Sequence, residues 1–359
     1  MFIKMHRAFH LRAIPSLFII AFMIVMIIAP VIIHILEKGG NELLARIMAY
    51  SGYIWMAIIF IFFTFHLLFD FLRLFVALGG WVLKRDFSSV VHAHSIFFLA
   101  AFIASISVAV YGYYEARNIR LERVVINTDK ISKDIGRIKV AQISDLHIGM
   151  LIRNNRVKRV IDIIKREDPD ILVSTGDLVD GKLPKHKNGN NGFKEINPRL
   201  GKFAVLGNHE FYTGIKSSIE SLQEEGFVLL RGRAVTIDGI INIAGVDDPA
   251  GKPFNYIEIA ESDLLRGLPQ DRFTILLKHQ PIIDPESLKY IDLQLSGHTH
   301  GGQIYPFIYI TRIFYPFPSG LVSLSRDKFL YISRGTGTWG PPIRFLAPPE
   351  VTIVEIKAN

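Results

Sequence analysis

Apolar positions are unevenly spread along this chain. In the first 115 residues they run together, and beyond about Leu121 they recur with a period. Residues 16–36 carry no formal charge, long enough for a helix to cross a bilayer core of about 30 Å. Residues 53–78 are apolar except for Asp70 and Arg73, which are three apart and able to pair on one helical face. Residues 95–114 form the third such run. The pattern predicts about three transmembrane helices in a membrane domain over residues 1–115. The first run is too long and unbroken for a cleaved signal peptide, whose apolar core is about 7–15 residues. It reads as a retained anchor.

Over residues 116–359 short β-branched runs alternate with amphipathic stretches. "RIKVAQIS", "DILVSTGD" and "KFAVLGNHE" read as strands. "NNRVKRVIDIIKRE" places Val157, Val160, Ile161 and Ile164 at helical spacing. "IKSSIESLQEEG" reads as a helix closed by glycine. "FVLL", "INIAGV", "FTILLKH", "FLYISRG" and "VTIVEIK" are further strands, several apolar throughout, as strands covered on both faces should be. Strands alternating with helices predict an α/β domain. "KLPKHKNGNNG", residues 182–192, is polar and glycine-rich and reads as a flexible loop.

Composition narrows the picture. Half the residues are hydrophobic, and the excess lies in the first 115. The absence of cysteine excludes disulfides and thiolate metal sites. A net charge of +8 suits an anionic membrane surface or a phosphorylated substrate. No interleaved basic–aromatic pattern points to nucleic acid. Lys4, Arg7 and Arg12 before the first run, with Lys84 and Arg85 after the second, predict a cytoplasmic N-terminus. Three crossings then place the α/β domain outside the cytoplasm, on the inner membrane of a cell. Arg117, Arg120 and Arg123 oppose this, but charge heading a long translocated domain weighs less than charge in short loops.

The strand ends share a chemistry. "ISDLHIG" presents Asp145 and His147, "STGDLVD" Asp177 and Asp180, "VLGNHE" Asn208 and His209, "LLKHQP" His279, and "SGHTHGGQ" His298 and His300. In an α/β sheet the strand ends line one crevice, where ligands bind. Mixed oxygen and imidazole donors suit Mn, Fe or Zn. Seven donors are too many for one ion and fit two that share a carboxylate, the arrangement that clamps a displacement at phosphorus. Gly176, Gly207 and Gly297 stand just before donors, where a missing Cβ lets the backbone come close. In extended chain alternate residues share a side, so His298 and His300 both face the crevice, where one can serve each metal, and Thr299 faces away. His66, His92 and His94 lie in or near the apolar runs without partners and read as ordinary residues.

The blocks DLH, GDxxD, GNHE, H and GHTH resemble the calcineurin-like metallophosphoesterases over about residues 137–356. "GHTHGGQ" and the later "SRGTGTWGPPIR" resemble its membrane-associated bacterial phosphodiesterase branch. The resemblance implies a two-sheet sandwich flanked by helices. It implies Asp145, His147 and His300 on one metal, Asn208, His279 and His298 on the other, and Asp177 bridging both. A water between the ions would attack phosphorus. His209 would stabilise the phosphoryl oxygens or protonate the leaving group, and Asp180 would orient His209. The protein-phosphatase branch follows its second block with Arg-Gly, which grips phosphate. Here Gly181 and Lys182 follow Asp180, which speaks against a phosphoprotein substrate. Arg334 and Arg344 could supply the missing grip.

Residues 305–320, "YPFIYITRIFYPFPSG", are aromatic, broken by proline and not expected to be helical. They read either as a buried connector or as an apolar lip that meets a bilayer or a lipid tail, with Trp339 able to join it. These readings converge on a membrane-anchored phosphoesterase with two divalent metal ions. Its partners would be the lipid bilayer and a phosphorylated small-molecule or lipid substrate, a phosphodiester or phosphomonoester of a lipid or envelope precursor. Two alternatives stand beside it. One is a pyrophosphatase for a nucleotide-linked acylated sugar at the cytoplasmic face. The other is a non-enzymatic membrane sensor with a retained metal site.

Overall fold

A computed structural model of the chain describes residues 1–180, 192–254 and 256–359. The loop expected over residues 182–192 lies outside the described residues, Gly192 excepted, as do Gly181 and Lys182. By internal contact the chain forms two units. One comprises Met1–Tyr114 with Gly340–Phe345, the other Glu115–Trp339 with Leu346–Asn359.

The first unit is helical: α1 (Phe2–Phe9), α2 (Ala13–Ile27), α3 (Ala29–Lys38), α4 (Glu42–Leu83), α5 (Ser88–Val91) and α6 (His94–Glu115). Among the described residues α4 and α6 are each long and apolar enough to cross a membrane. The first apolar run, expected as one span, is instead the pair α2 and α3, bent by 56°. Pro30 sits in the first turn of α3, where it has no N–H to return to α2 and its ring crowds the preceding turn. The bent pair is a third span only if it counts as one. At 1.5 Å per residue α4 is roughly 60 Å long, about twice a bilayer core. Asp70 meets Arg73 at 3.4 Å, as their spacing predicts, and Lys4 at 2.5 Å. His94 and His92 are not without partners: His94 Nδ1 lies 3.1 Å from Arg73 Nη2, and His92 Nδ1 lies 2.8 Å from the Ser88 carbonyl. His66 stacks on Phe62. Arg344 belongs to this unit, fully buried, its backbone N–H donating to the Gly112 carbonyl.

The second unit holds two six-stranded sheets. The first, β1 (Arg120–Thr128), β2 (Arg137–Ile143), β3 (Ile171–Ser174), β4 (Lys202–Ala204), β5 (Val228–Leu229) and β12 (Glu350–Ala358), runs in the order β1-β12-β2-β3-β4-β5. The second comprises β6 (Arg233–Ile237), β7 (Ile241–Gly245), β8 (Phe273–Leu277), β9 (Leu293–Ser296), β10 (Gly320–Ser325) and β11 (Lys328–Ile332), in the order β10-β11-β9-β8-β7-β6. Helices α7 (Asn154–Glu167), α8 (Asn208–Glu224), α9 (Glu261–Arg266) and α10 (Ile308–Phe314) complete it.

Alternation along each strand assigns its side chains to two cores. Ile138 and Val140 of β2, with Ile171 and Val173 of β3, pack between the sheets against Ile243, Ile275 and Leu295. Ala141, Ile143 and Leu172 point the other way, onto Val157, Val160 and Ile164 of α7. The second sheet's outer face packs Ala244 and Leu276 on Leu265 of α9. This is the two-sheet sandwich flanked by helices that the sequence led us to expect, and its all-apolar strands are the doubly covered ones.

One expectation fails. Residues 308–314, expected to avoid helix, form α10. Pro306 and Pro316 flank this stretch rather than interrupt it, so both act as boundaries and leave room for two turns. Nor is α10 a buried connector: Ile313 is 75% and Phe314 72% exposed.

Candidate metal centre

Strands β2, β3 and β4 run parallel in one sheet, and β8 and β9 run parallel in the other. Their carboxyl ends carry the donor-bearing loops, and backbone bonds register one loop on the next. Asp145 N–H donates to the Gly176 carbonyl, His147 N–H to the Asp177 carbonyl, and Gly297 N–H to the His279 carbonyl. All seven donors read from the sequence come together, with His209 and Asp180 beside them.

They form two groups. In the first, His147 Nε2 lies 3.1 Å from His300 Nε2, which lies 3.5 Å from Asp145 Oδ1. In the second, Asn208 Oδ1 lies 3.1 Å from both His279 Nε2 and His298 Nδ1, themselves 3.2 Å apart. Asp177 stands between the groups. Its Oδ2 is 3.3 Å from His279 Nε2 and 3.9 Å from His147 Nε2, while its Oδ1 accepts the His209 N–H at 2.8 Å.

The backbone strain is concentrated here. Asp145, His147, Asp177, His298 and His300 all adopt positive φ, between 50° and 68°. Such angles are uncommon outside glycine and cluster at functional sites. They correct the extended-chain expectation for "GHTH". With φ of 68° at His298, −76° at Thr299 and 50° at His300, the chain coils, and the imidazoles reach different groups. Gly176 has a φ of 97°, and a Cβ there would press on the Gly207 backbone. A Cβ on Gly297 would overlap the Ser144 hydroxyl and the Asp145 carboxylate.

The residues fit divalent metal ions. His147 Nδ1 lies 2.9 Å from Asp180 Oδ1, and His279 Nδ1 lies 2.8 Å from the Thr175 carbonyl. Each of these nitrogens must donate, so in the neutral ring each Nε2 is a lone pair aimed at another ring nitrogen. Lone pairs converging at about 3 Å need a proton or a cation between them. Without metal, protons serve. Burial pushes His147 down, but Asp180, Asp177 and Asp145 outweigh it and carry it up to about 9. Burial likewise opposes charge on His279, and Asp177 overrides it, raising the imidazole well above its ordinary value. Burial and the neighbouring His279 push His298 down to about 4. Burial opposes charge on Asp177 as well, yet His279, His147 and His209 hold its carboxyl below the usual range.

Asp180 does more than orient His209. Its Oδ1 lies 2.8 Å from His209 Nδ1, and the same atom braces His147. Glu210 went unread as a functional residue. It is fully buried, and its carboxylate accepts the N–H groups of Asp177 (2.9 Å), Gly207 (2.8 Å) and Val179 (3.1 Å), tying the Asp177 loop to the start of α8. Its place three residues after the N-cap Gly207 is a capping-box signal that could have found it. Burial and Asp177 push its carboxyl up to about 7.

The late block also acquires a place. Thr336 N–H and Gly337 N–H donate to the Ser144 and Asp145 carbonyls, at 2.7 and 2.9 Å. Gln303 Nε2 donates to the Trp339 carbonyl at 2.7 Å, and Gln303 Oε1 accepts the Trp339 N–H at 2.9 Å. The Trp339 indole stands edge-on to His209, ring centroids 6.4 Å apart. Arg334 does not supply a phosphate grip: it pairs with Glu350 at 2.6 Å and with Glu122. Arg344 is buried in the other unit.

Comparison with known proteins agrees with this geometry. Residues 138–302 match the family model for calcineurin-like phosphoesterases. An uncharacterised metallophosphoesterase of Aquifex aeolicus is 44% identical over 251 residues, 69% of this chain and 96% of that protein. One from Campylobacter jejuni is 32% identical, over 81% of this chain and 76% of its own length. A Danio rerio transmembrane protein with metallophosphoesterase domain is 28% identical, over 72% of this chain and 62% of its own.

Proposed function

Because the chain belongs to the calcineurin-like metallophosphoesterases, we propose that its phosphoesterase centre holds two divalent cations with Asp177 as their shared ligand. One observation carries this reading: Asp177 Oδ2 sits between the two donor groups, 3.3 Å from His279 Nε2 and 3.9 Å from His147 Nε2. Asp145, His147 and His300 would hold one cation, and Asn208, His279 and His298 the other. Mn, Fe or Zn suits this donor set. When bound, such a pair polarises a phosphoryl oxygen and makes water a nucleophile at neutral pH.

The chain's own groups do the rest. Asp180 keeps His209 oriented through Nδ1, which leaves Nε2 to meet a phosphoryl oxygen or to give a proton to the leaving alkoxide. Glu210 holds the Asp177 loop in register. The substrate we propose is a phosphodiester or phosphomonoester of a lipid or envelope precursor, and two features support it. The apolar helices tie the catalytic unit to a bilayer, and α10 exposes Ile313 and Phe314. With the bent pair counted as a third crossing, the lysine and arginine bias favours a catalytic unit outside the cytoplasm.

Metal analysis of the full chain in detergent after Mn loading tests the centre. Two ions per chain are expected, with hydrolysis of bis(p-nitrophenyl) phosphate. Asp177→Asn should lower both occupancies and cut turnover by several orders of magnitude. One ion at saturation, or near-normal turnover by the variant, overturns the shared-ligand assignment.

A further inference from the structure

His209 is walled by aromatic rings. His147 meets it edge-on on one side, ring centroids 4.6 Å apart. Tyr212, one turn further along α8, lies at 6.1 Å, and Trp339 at 6.4 Å. Phe254 extends the surface beyond Tyr212 at 6.5 Å. His147 is buried, whereas Tyr212, Phe254 and Trp339 are exposed, 55% in the case of Trp339. Large rings are normally turned inward, so two held open beside one histidine, with a third beyond Tyr212, call for a reason.

Trp339 has not been left to chance. Both main-chain polar groups of Trp339 are taken by the carboxamide of Gln303, a side chain 8% exposed. That amide closes a two-bond ring, as a neighbouring strand would. Gln303 is itself three residues beyond His300, at a φ of 52°. The loop that carries two metal-ligand candidates therefore also sets the position of the indole. The "GGQ" and "GTWG" segments, 36 residues apart, form one device.

We propose that Trp339, Tyr212 and Phe254 form a subsite for the leaving group of the phosphoester and select an apolar alcohol, with Gln303 as its positioning residue. This rests on the reading of the centre as a phosphoesterase. His209 stands where the leaving oxygen takes up its proton, so the carbon next to that oxygen meets the faces of these rings. An alkyl or aryl group buries apolar surface there. A sugar or ribose, with a hydroxyl on nearly every carbon, finds too few partners there, since Phe254 offers none, the Trp339 indole one N–H and Tyr212 one hydroxyl.

Calorimetry on the Mn-loaded full chain in lipid nanodiscs tests this through binding of non-hydrolysable phosphonates. Methyl-, hexyl- and phenylphosphonate share the phosphorus group and differ only in the substituent. Hexyl or phenyl should bind about tenfold or more tighter than methyl, the gain expected when an open rim covers part of the added carbon. A larger gain for hexyl assigns an aliphatic alcohol, and a larger gain for phenyl an aryl one. Trp339→Ala should erase most of the preference and leave methylphosphonate within about twofold, since the ring is half exposed and little packing is lost. Gln303→Glu, the same shape without the amide donor, should also shrink the preference. A purely structural glutamine would lower the melting temperature and leave the ratio unchanged. Equal binding of all three ligands by the unaltered chain, or a parallel loss of all three in Trp339→Ala, overturns the subsite. If methylphosphonate itself does not bind, the phosphoesterase reading fails and the subsite with it.

Discussion

The Nε2 atoms of His147 and His300 face each other across 3.1 Å. Neither can keep a proton and still serve a metal, so cation and proton compete for this gap. In the metal-free protein Asp180, Asp177 and Asp145 overcome burial and hold His147 protonated up to about pH 9. His279 is raised as well. The sign follows. Below about 9 metal uptake must expel protons, so apparent affinity rises with pH and levels off above that value. Titration of the metal-free chain with Mn at pH 7, in two buffers of different ionisation enthalpy, should show release of about one proton or more per chain. Affinity that does not change between pH 6 and 9 would place the cations elsewhere.

His209 sits beside the donor groups, with Nδ1 on Asp180. His209→Ala should keep its metal and turn over slowly, by about 10²–10⁴-fold for an alkyl leaving group. The defect should narrow for nitrophenolate, which leaves without a proton. Equal losses on both substrates would restrict His209 to stabilising phosphoryl oxygens. Asp180→Asn should impair both metal retention and turnover, because the one oxygen serves His147 and His209.

Glu210 accepts three backbone N–H groups with two oxygens. Glutamine has one acceptor oxygen and would turn an NH₂ toward a donor. A buried donor without a partner costs about 1–3 kcal/mol, so Glu210→Gln should lower the melting temperature and weaken metal binding together. An unchanged melting temperature with intact metal content would mean the loops hold their register without it.

The exposure of α10 separates lip from core. Ile313 and Phe314 are largely exposed, whereas Phe317 is half-buried, so the first two are the residues to change. Ile313→Ser with Phe314→Ser should leave the melting temperature unchanged. It should slow a long-chain lipid phosphoester several-fold more than a soluble nitrophenyl ester, because an apolar face next to a bilayer gains from burial there. Equal slowing of both esters would remove the lipid contact.

Short-range patterns carried the α/β alternation and most of the strands, while the two-sheet sandwich followed from the family resemblance. Helix α7 spans the fourteen residues whose 3.6 period marked it, because one face packs on a sheet and the other meets water. The donor blocks were legible for a similar reason: each sits at the end of an apolar strand, and parallel strands deliver their ends to one edge. The bend between α2 and α3 was less so, since a proline permits a kink without requiring one. Three features were decided only in the fold. The left-handed backbone at His298 and His300 depends on what surrounds the loop. The role of Glu210 depends on two loops meeting over it. The bonds between Gln303 and Trp339 join positions 36 apart. Hydrophobic period is a property of neighbours in the chain and can be read there. A hydrogen bond between distant loops, and the strain it sustains, exists only once packing has closed the distance.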